Sequence, residues 1–121
     1  MRDKISLTDA RVLAENLRSK LISIFPGFTD ECSLEELRDY MTVTPVHYVM
    51  SCFTYYFGKT ATMSTKKQLA ALGALVNEAV SEAGVIENAV STCFLEHLRQ
   101  VRACKPLSPF LAAAAKRRTH P

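Results

Sequence analysis

Apolar residues along this chain recur in steps of three and four, the spacing that lines one face of an α-helix. The clearest stretch is VIENAVSTCFLEHLRQV, residues 85–101, in which Ile86, Val90, Cys93, Phe94, Leu98 and Val101 share one stripe. Glu87, Asn88, Ser91, Thr92, Glu96, Arg99 and Gln100 fall mostly on the other side. As the longest amphipathic pattern in the chain, it is the surface against which the other helices are expected to pack.

The same reading predicts helices over 7–25, 34–41, 45–57, 65–83, 85–104 and 109–118. The first has Ser6 as N-cap and Asp9 in its first turn, where a carboxylate suits the positive helix end. Val12, Leu13, Leu17, Leu21, Ile24 and Phe25 form its stripe, Pro26-Gly27 stops it, and 26–32 reads as a loop. Ser33-Leu34-Glu35-Glu36 is an S-x-x-E capping box and opens a short helix buried through Leu34, Leu37 and Met41. Thr44-Pro45 starts the third helix and Gly58 is its expected stop. Val46, Val49, Met50, Phe53 and Phe57 are its main face, and its β-branched and aromatic content lacks the period of two that a strand needs. Ser64 or Thr65 caps the fourth helix, lined by Leu69, Leu72, Leu75, Val76, Ala79 and Val80. Gly73 costs that helix about 1 kcal/mol against alanine and suggests the close approach of a neighbour. Gly84 leaves so short a turn that helices 65–83 and 85–104 form an αα-hairpin. Pro106 and Pro109 break the chain before a last helix anchored by Phe110 and Leu111. Residues 119–121 are expected to fray.

These elements make an all-α fold, a single domain over 1–121 built as a bundle of five to six helices. The 121 residues and 48% apolar content suffice for a core without metal or disulfides. Four Gly, five Pro and no Trp suit long helices better than many short strands. The net charge of +3 is mild for a nucleic-acid binder. Lys66-Lys67 and Lys116-Arg117-Arg118 are the basic spots; both sit at helix ends and lack the interleaved aromatics of a strand-binding platform. The N-terminus has no apolar signal segment, and no apolar run approaches the roughly 18 residues of a membrane span, so the expected location is cytoplasmic, with no membrane partner.

Candidate chemistry is sparse. Cys32, Cys52, Cys93 and Cys104 include no CxxC pair, and with only His47, His97 and His120 beside them no zinc spacing emerges. They read as reduced thiols that act as small hydrophobes. Glu96 and His97 point about 100° apart on a helix and are not an acid–base pair. No phosphate loop or nucleophile elbow occurs. No catalytic, cofactor-binding or metal residue is therefore assigned, and no enzyme activity or cofactor is expected. The informative cluster is acidic. Asp30, Glu31, Glu35, Glu36 and Asp39 crowd ten residues of a basic chain, and Glu78 and Glu82 form a second patch near the hairpin turn. Acidic groups on a rigid scaffold suit the basic site of a partner protein, with tyrosines as anchors.

Residues 87–98, ENAVSTCFLEHL, add a resemblance. Asn88, Ala89, Val90, Phe94, Leu95, Glu96 and Leu98 resemble the pattern (E/Q)-N-A-(I/V)-x-x-x-F-L-E-x-L of small helical bacterial proteins encoded as immunity genes of contact-dependent and other polymorphic toxin systems. The preceding helix, with Leu72, Leu75 and Asn77-Glu78, is similar too, and the likeness spans 64–104. The resemblance implies a protein that binds a cognate toxin domain, a nuclease, and blocks its active site. The other reading is a small helix-turn-helix DNA-binding regulator with 45–57 or 65–83 as recognition helix.

Overall fold

A computed structural model describes residues 7–32, 45–82, 84–98 and 104–119, with the side chains of 7–10 and 104 excepted. Among them every regular element is helical, and the chain is an all-α bundle. The expected helix 34–41, with its capping box at Ser33, lies outside the described residues, as do Ser6 and Val101.

The first helix, α1, is Leu7–Ile24. Ala14, Leu17, Leu21 and Phe25 bury its inner face, whereas Val12, assigned to that face from spacing, is 49% exposed. Leu13 and Leu17, one turn apart, take the core side, so Val12 falls at its margin. Pro26 does not open an irregular loop but a 3-10 turn, Pro26–Glu31, that tucks Phe28 fully inside. α2 is Pro45–Thr60, buried along Val46, Val49, Met50, Phe53, Thr54 and Phe57. It runs past Gly58, the expected stop, because Gly58 does not take the left-handed conformation that ends a helix and Thr60 donates back to the Tyr56 carbonyl at 3.0 Å.

α3 is Lys66–Val80. Its start is the expected one, and Thr65 is the cap: the Thr65 hydroxyl accepts from Gln68 N–H at 3.0 Å while Gln68 Oε1 accepts from Thr65 N–H at 2.9 Å. It ends three residues before the expected boundary, where both the amide and the hydroxyl of Ser81 donate to the Glu78 carbonyl and tighten the last turn. Gly84 holds φ at +150°, a conformation that favours glycine, and its carbonyl accepts the Asn88 N–H at 3.0 Å at the start of α4.

α4 covers 85–98: α-helical over Val85–Val90, a π turn over Ser91–Leu95, and α-helical again over Glu96–Leu98. It packs against α3 as the expected hairpin and against α2. Val90, Phe94 and Leu98 are fully buried as the periodicity requires. Ala89 and Leu95, off that stripe, are fully buried too. In the wider π turn the Glu96 N–H reaches the Ser91 carbonyl, five residues back, so Phe94 and Leu95 both face inward. Within this turn the Cys93 carbonyl accepts from the Thr54 hydroxyl of α2, which shares a single proton between it and the Met50 carbonyl at 2.8 Å. Thr54→Val keeps the shape and removes the donor. It is expected to cost about 1–2 kcal/mol in urea unfolding, with Thr54→Ser close to wild type. A Thr54→Val variant as stable as wild type beside a destabilised Thr54→Ser would show that the methyl, not the bond, matters.

The C-terminal part differs most from expectation. Instead of one helix over 109–118 there are α5, Cys104–Leu107, a 3-10 turn, Ser108–Phe110, and α6, Ala113–Arg117. The break at Leu111–Ala112 is held from α3: Asn77 Nδ2 donates to the Phe110 carbonyl at 3.2 Å and Asn77 Oδ1 accepts the Ala112 N–H at 2.8 Å. Thr119, expected to fray, is 4% exposed and its hydroxyl donates to the Lys116 carbonyl at 2.7 Å. One continuous core links Ala14 on α1 to Ala115 on α6.

Candidate functional site

Of the predicted acidic residues, the described ones, Asp30, Glu31, Glu78 and Glu82, fall on two parts of the bundle. Asp30 is exposed at the end of the 3-10 turn. Glu31 beside it is engaged: Lys59 Nζ donates to its carboxylate at 3.0 Å and lies 4.3 Å from the centre of the Tyr55 ring. That ion pair fastens the turn to α2, so Glu31 is a brace more than a free charge. Glu35, Glu36 and Asp39 lie outside the described residues. Glu78 is exposed in the last turn of α3 and Glu82 just past its end, whereas the 3-10 turn packs mainly on α1 and α2.

Glu78 borders the feature that best suits a partner. α1, α3 and α4 leave a groove of about 160 Å³ between them, lined by Leu13, Asn16, Leu17, Lys20, Leu75, Glu78, Ala79 and Ile86. Its floor is leucine, alanine and isoleucine, and its rim carries one cation, one carboxylate and one amide. Exposed Val12 stands one helical turn before Asn16, on the same row of α1. Ile86, read from the sequence as part of the packing stripe, is a wall of this groove. Sequence periodicity finds the residues but not the groove, which depends on how far three helices stand apart.

A second cavity of about 210 Å³ lies between Phe25, Tyr56, Thr60, Met63, Ser64 and Gln68. The side chains of Thr60, Ser64 and Gln68 are committed within the protein. Gln68 Nε2 donates to the Ile24 carbonyl at 3.0 Å, and Ser64 donates to the Thr60 carbonyl at 3.2 Å. This arrangement ties α1 to α3.

The residues that resembled catalytic equipment stay apart in role. His47 Nε2 donates to Asn88 Oδ1 at 2.7 Å and joins the start of α2 to α4; its Nδ1 is buried without a partner among the described residues. Cys93 Sγ meets the Thr92 hydroxyl at 3.6 Å. Glu96 and His97 are both exposed. No group of three metal-ligating side chains occurs among the described residues. No described helix is long and apolar enough to cross a membrane. Of the basic spots, Lys66, Lys67, Lys116 and Arg117 are exposed, whereas Arg118 donates to the Ala114 carbonyl at 2.8 Å and to Glu87 at 3.3 Å. Glu87 also accepts from the Ser91 hydroxyl at 3.3 Å, so this carboxylate joins α6 to the π turn.

The side chains that sequence reasoning missed are these ties, Thr54, Asn77 and Glu87. Each acts on a residue far along the chain or on an irregular turn, for which residue type alone is no signal. No family model, curated protein or solved structure matches the chain.

Proposed function

We propose that the protein is an immunity protein: a binding module that recognises a cognate bacterial toxin domain and neutralises it by covering the toxin's active site, with no chemistry of its own. The observation that carries this reading is the groove between α1, α3 and α4, lined mainly by apolar side chains together with exposed Lys20 and Glu78, with exposed Val12 one helical turn before its Asn16. Such a site suits an apolar anchor from a partner flanked by a basic residue, with the surrounding charge speeding encounter and fixing register. The pattern at 87–98 supports the same reading, and the helix that carries it, α4, contributes Ile86, the residue just before the pattern, to that groove. A nuclease fits as the toxin, because a nucleic-acid-handling site is basic and attracts a carboxylate such as Glu78 or the acidic segment at 30–39.

The test is co-purification with the toxin domain encoded immediately upstream, together with rescue of growth when both are expressed. The wild-type chain should bind and protect. Val12→Asp combined with Glu78→Lys should weaken binding about tenfold or more, the equivalent of roughly 1.4 kcal/mol, with an unchanged melting temperature. Reversing Glu35, Glu36 and Asp39 together probes the other acidic patch. A wild-type protein that fails to bind its neighbour's toxin domain sinks the proposal. Binding indifferent to both sets of changes removes these surfaces from it. The exposed Lys66 and Lys67 in the first turn of α3 favour the DNA-binding alternative, for which a salt-dependent shift of duplex DNA is the discriminating result.

A further inference from the structure

Two cysteines outside the groove meet across the bundle. Cys32 follows the 3-10 turn, which is clamped onto α2 at three points. Phe28 packs edge-on against Phe53 at 5.2 Å between ring centres and tilted against Tyr56 at 5.7 Å, and Glu31 pairs with Lys59. From α1, Arg18 Nε donates to the Cys32 carbonyl and fixes the backbone of that residue. The Cys32 side chain is thereby fully buried and hydrogen-bonded to the sulfur of Cys52, which lies half-buried on α2 next to Phe53. The guanidinium of Arg18 faces the same thiol. Both cysteines are thiols in this structure.

We propose that Cys32 and Cys52 are a reversible dithiol, closed to an intrachain disulfide by exchange with a small disulfide of the glutathione class. Three features favour closure. The Cys32 thiol is a hydrogen-bond partner of Cys52, the turn carrying Cys32 is held on α2 by contacts that do not involve its sulfur, and a cation stands beside Cys32. The two thiols differ in role. Cys52 and burial push the Cys32 thiol well above its ordinary range, against the opposing pull of Arg18, so Cys32 is the resident proton holder. Cys52 is the more accessible sulfur and the entry point.

In the first step the Cys52 thiolate, its proton given to solvent, attacks one sulfur of oxidised glutathione. The glutathione S–S bond breaks, and one glutathione leaves as a thiolate that takes up a proton. In the second step Cys32 loses its proton, its sulfur attacks Cys52 Sγ of the mixed disulfide, and the second glutathione leaves and is protonated. The two protein thiols give up two electrons and two protons, and oxidised glutathione gains both. The bridge closes the loop that contains Glu35, Glu36 and Asp39, so its formation tethers that acidic segment at both ends.

The full chain is equilibrated in buffers spanning a range of reduced to oxidised glutathione, quenched in acid, capped with a thiol reagent, digested and mapped by mass spectrometry. The expected product is a cross-linked peptide joining Cys32 to Cys52, whose ratio to the reduced form rises in proportion to oxidised glutathione over the square of reduced glutathione. The melting temperature should rise by about 10 °C on closure, and dithiothreitol should reverse both changes. Cys93→Ala should leave the cross-link intact, and Cys52→Ser should abolish it. A glutathione adduct that persists on Cys52 without closure overturns the proposal, as does a bridge to Cys93 or Cys104, or no oxidation at any ratio. Because the buried Cys32 is the site whose replacement most endangers folding, the decision rests on wild-type mapping and on Cys52→Ser.

Discussion

Replacing Phe53 with alanine is expected to cost about 3–5 kcal/mol of stability, the range for deleting a buried aromatic ring. Phe53 is fully buried, and five rings surround it. Phe25 stands at 5.5 Å, Phe28 at 5.2 Å, Tyr56 at 6.2 Å, Phe57 at 5.7 Å and Phe94 at 5.5 Å between ring centres. These neighbours come from the end of α1, the 3-10 turn, α2 itself and α4. Removing the ring therefore leaves a cavity walled by four elements that cannot all close on it. Tilted and edge-on ring contacts contribute about 0.5–1.5 kcal/mol each beyond buried area, which adds to the loss. A domain of this kind has about 5–15 kcal/mol of total stability, so the variant should lose a large share of it. Urea unfolding followed by circular dichroism measures the change. Tyr55→Ala, two residues on but 64% exposed, loses little more than the Lys59–ring contact, about 0.5–1 kcal/mol. If the two substitutions cost the same, the ring cluster is not the centre of this core.

That contrast also shows what periodicity reveals. Phe53 and Phe57 are identifiable as core from their spacing with Val46, Val49 and Met50, and the structure buries all five. Pro45 as a helix start, Pro26-Gly27 as a stop and the cap at Thr65 are legible because each acts through its own backbone or its near neighbours. Where a distant residue decides, spacing is silent. Leu95 is buried because a π turn changes the hydrogen-bond register of α4, and nothing in STCFL distinguishes that turn from α-helix. Four alanines and a run of basic residues favour continuous helix over 109–118, yet Asn77, more than thirty residues upstream, captures the Phe110 carbonyl and the Ala112 amide and breaks it. The candidate site follows the same rule. Glu31 is legible as acidic, but its engagement by Lys59 follows only from the docking of the turn on α2. The groove beside Glu78 is a gap among three helices, each of which looks fully packed when read alone.

Gly73→Ala should destabilise the protein by about 1–3 kcal/mol, the range for overfilling a packed contact, although the same change in an open helix adds about 1 kcal/mol of stability. A methyl group at this position would lie 2.6 Å from the Phe110 carbonyl oxygen, 2.7 Å from Phe110 Cβ and 3.1 Å from the carbonyl carbon. The obstacle is backbone, and it is pinned: Asn77, one turn along α3, holds both the Phe110 carbonyl and the Ala112 amide. α3 can therefore accept the methyl only by pushing residues 108–112 outward and breaking those bonds, which loosens the whole segment from Cys104 to Thr119. Limited trypsin digestion should then cut faster at Lys105, Lys116 and Arg117, all exposed, while the rest of the chain retains its pattern. Asn77→Ala should release the same segment by another route. If both substitutions act through it, the double variant should cost less than the sum of the two singles, because a segment already released cannot be lost twice. Additive costs, or a stabilised Gly73→Ala, would show that the approach of the 3-10 turn to Gly73 does not hold the C-terminal segment in place.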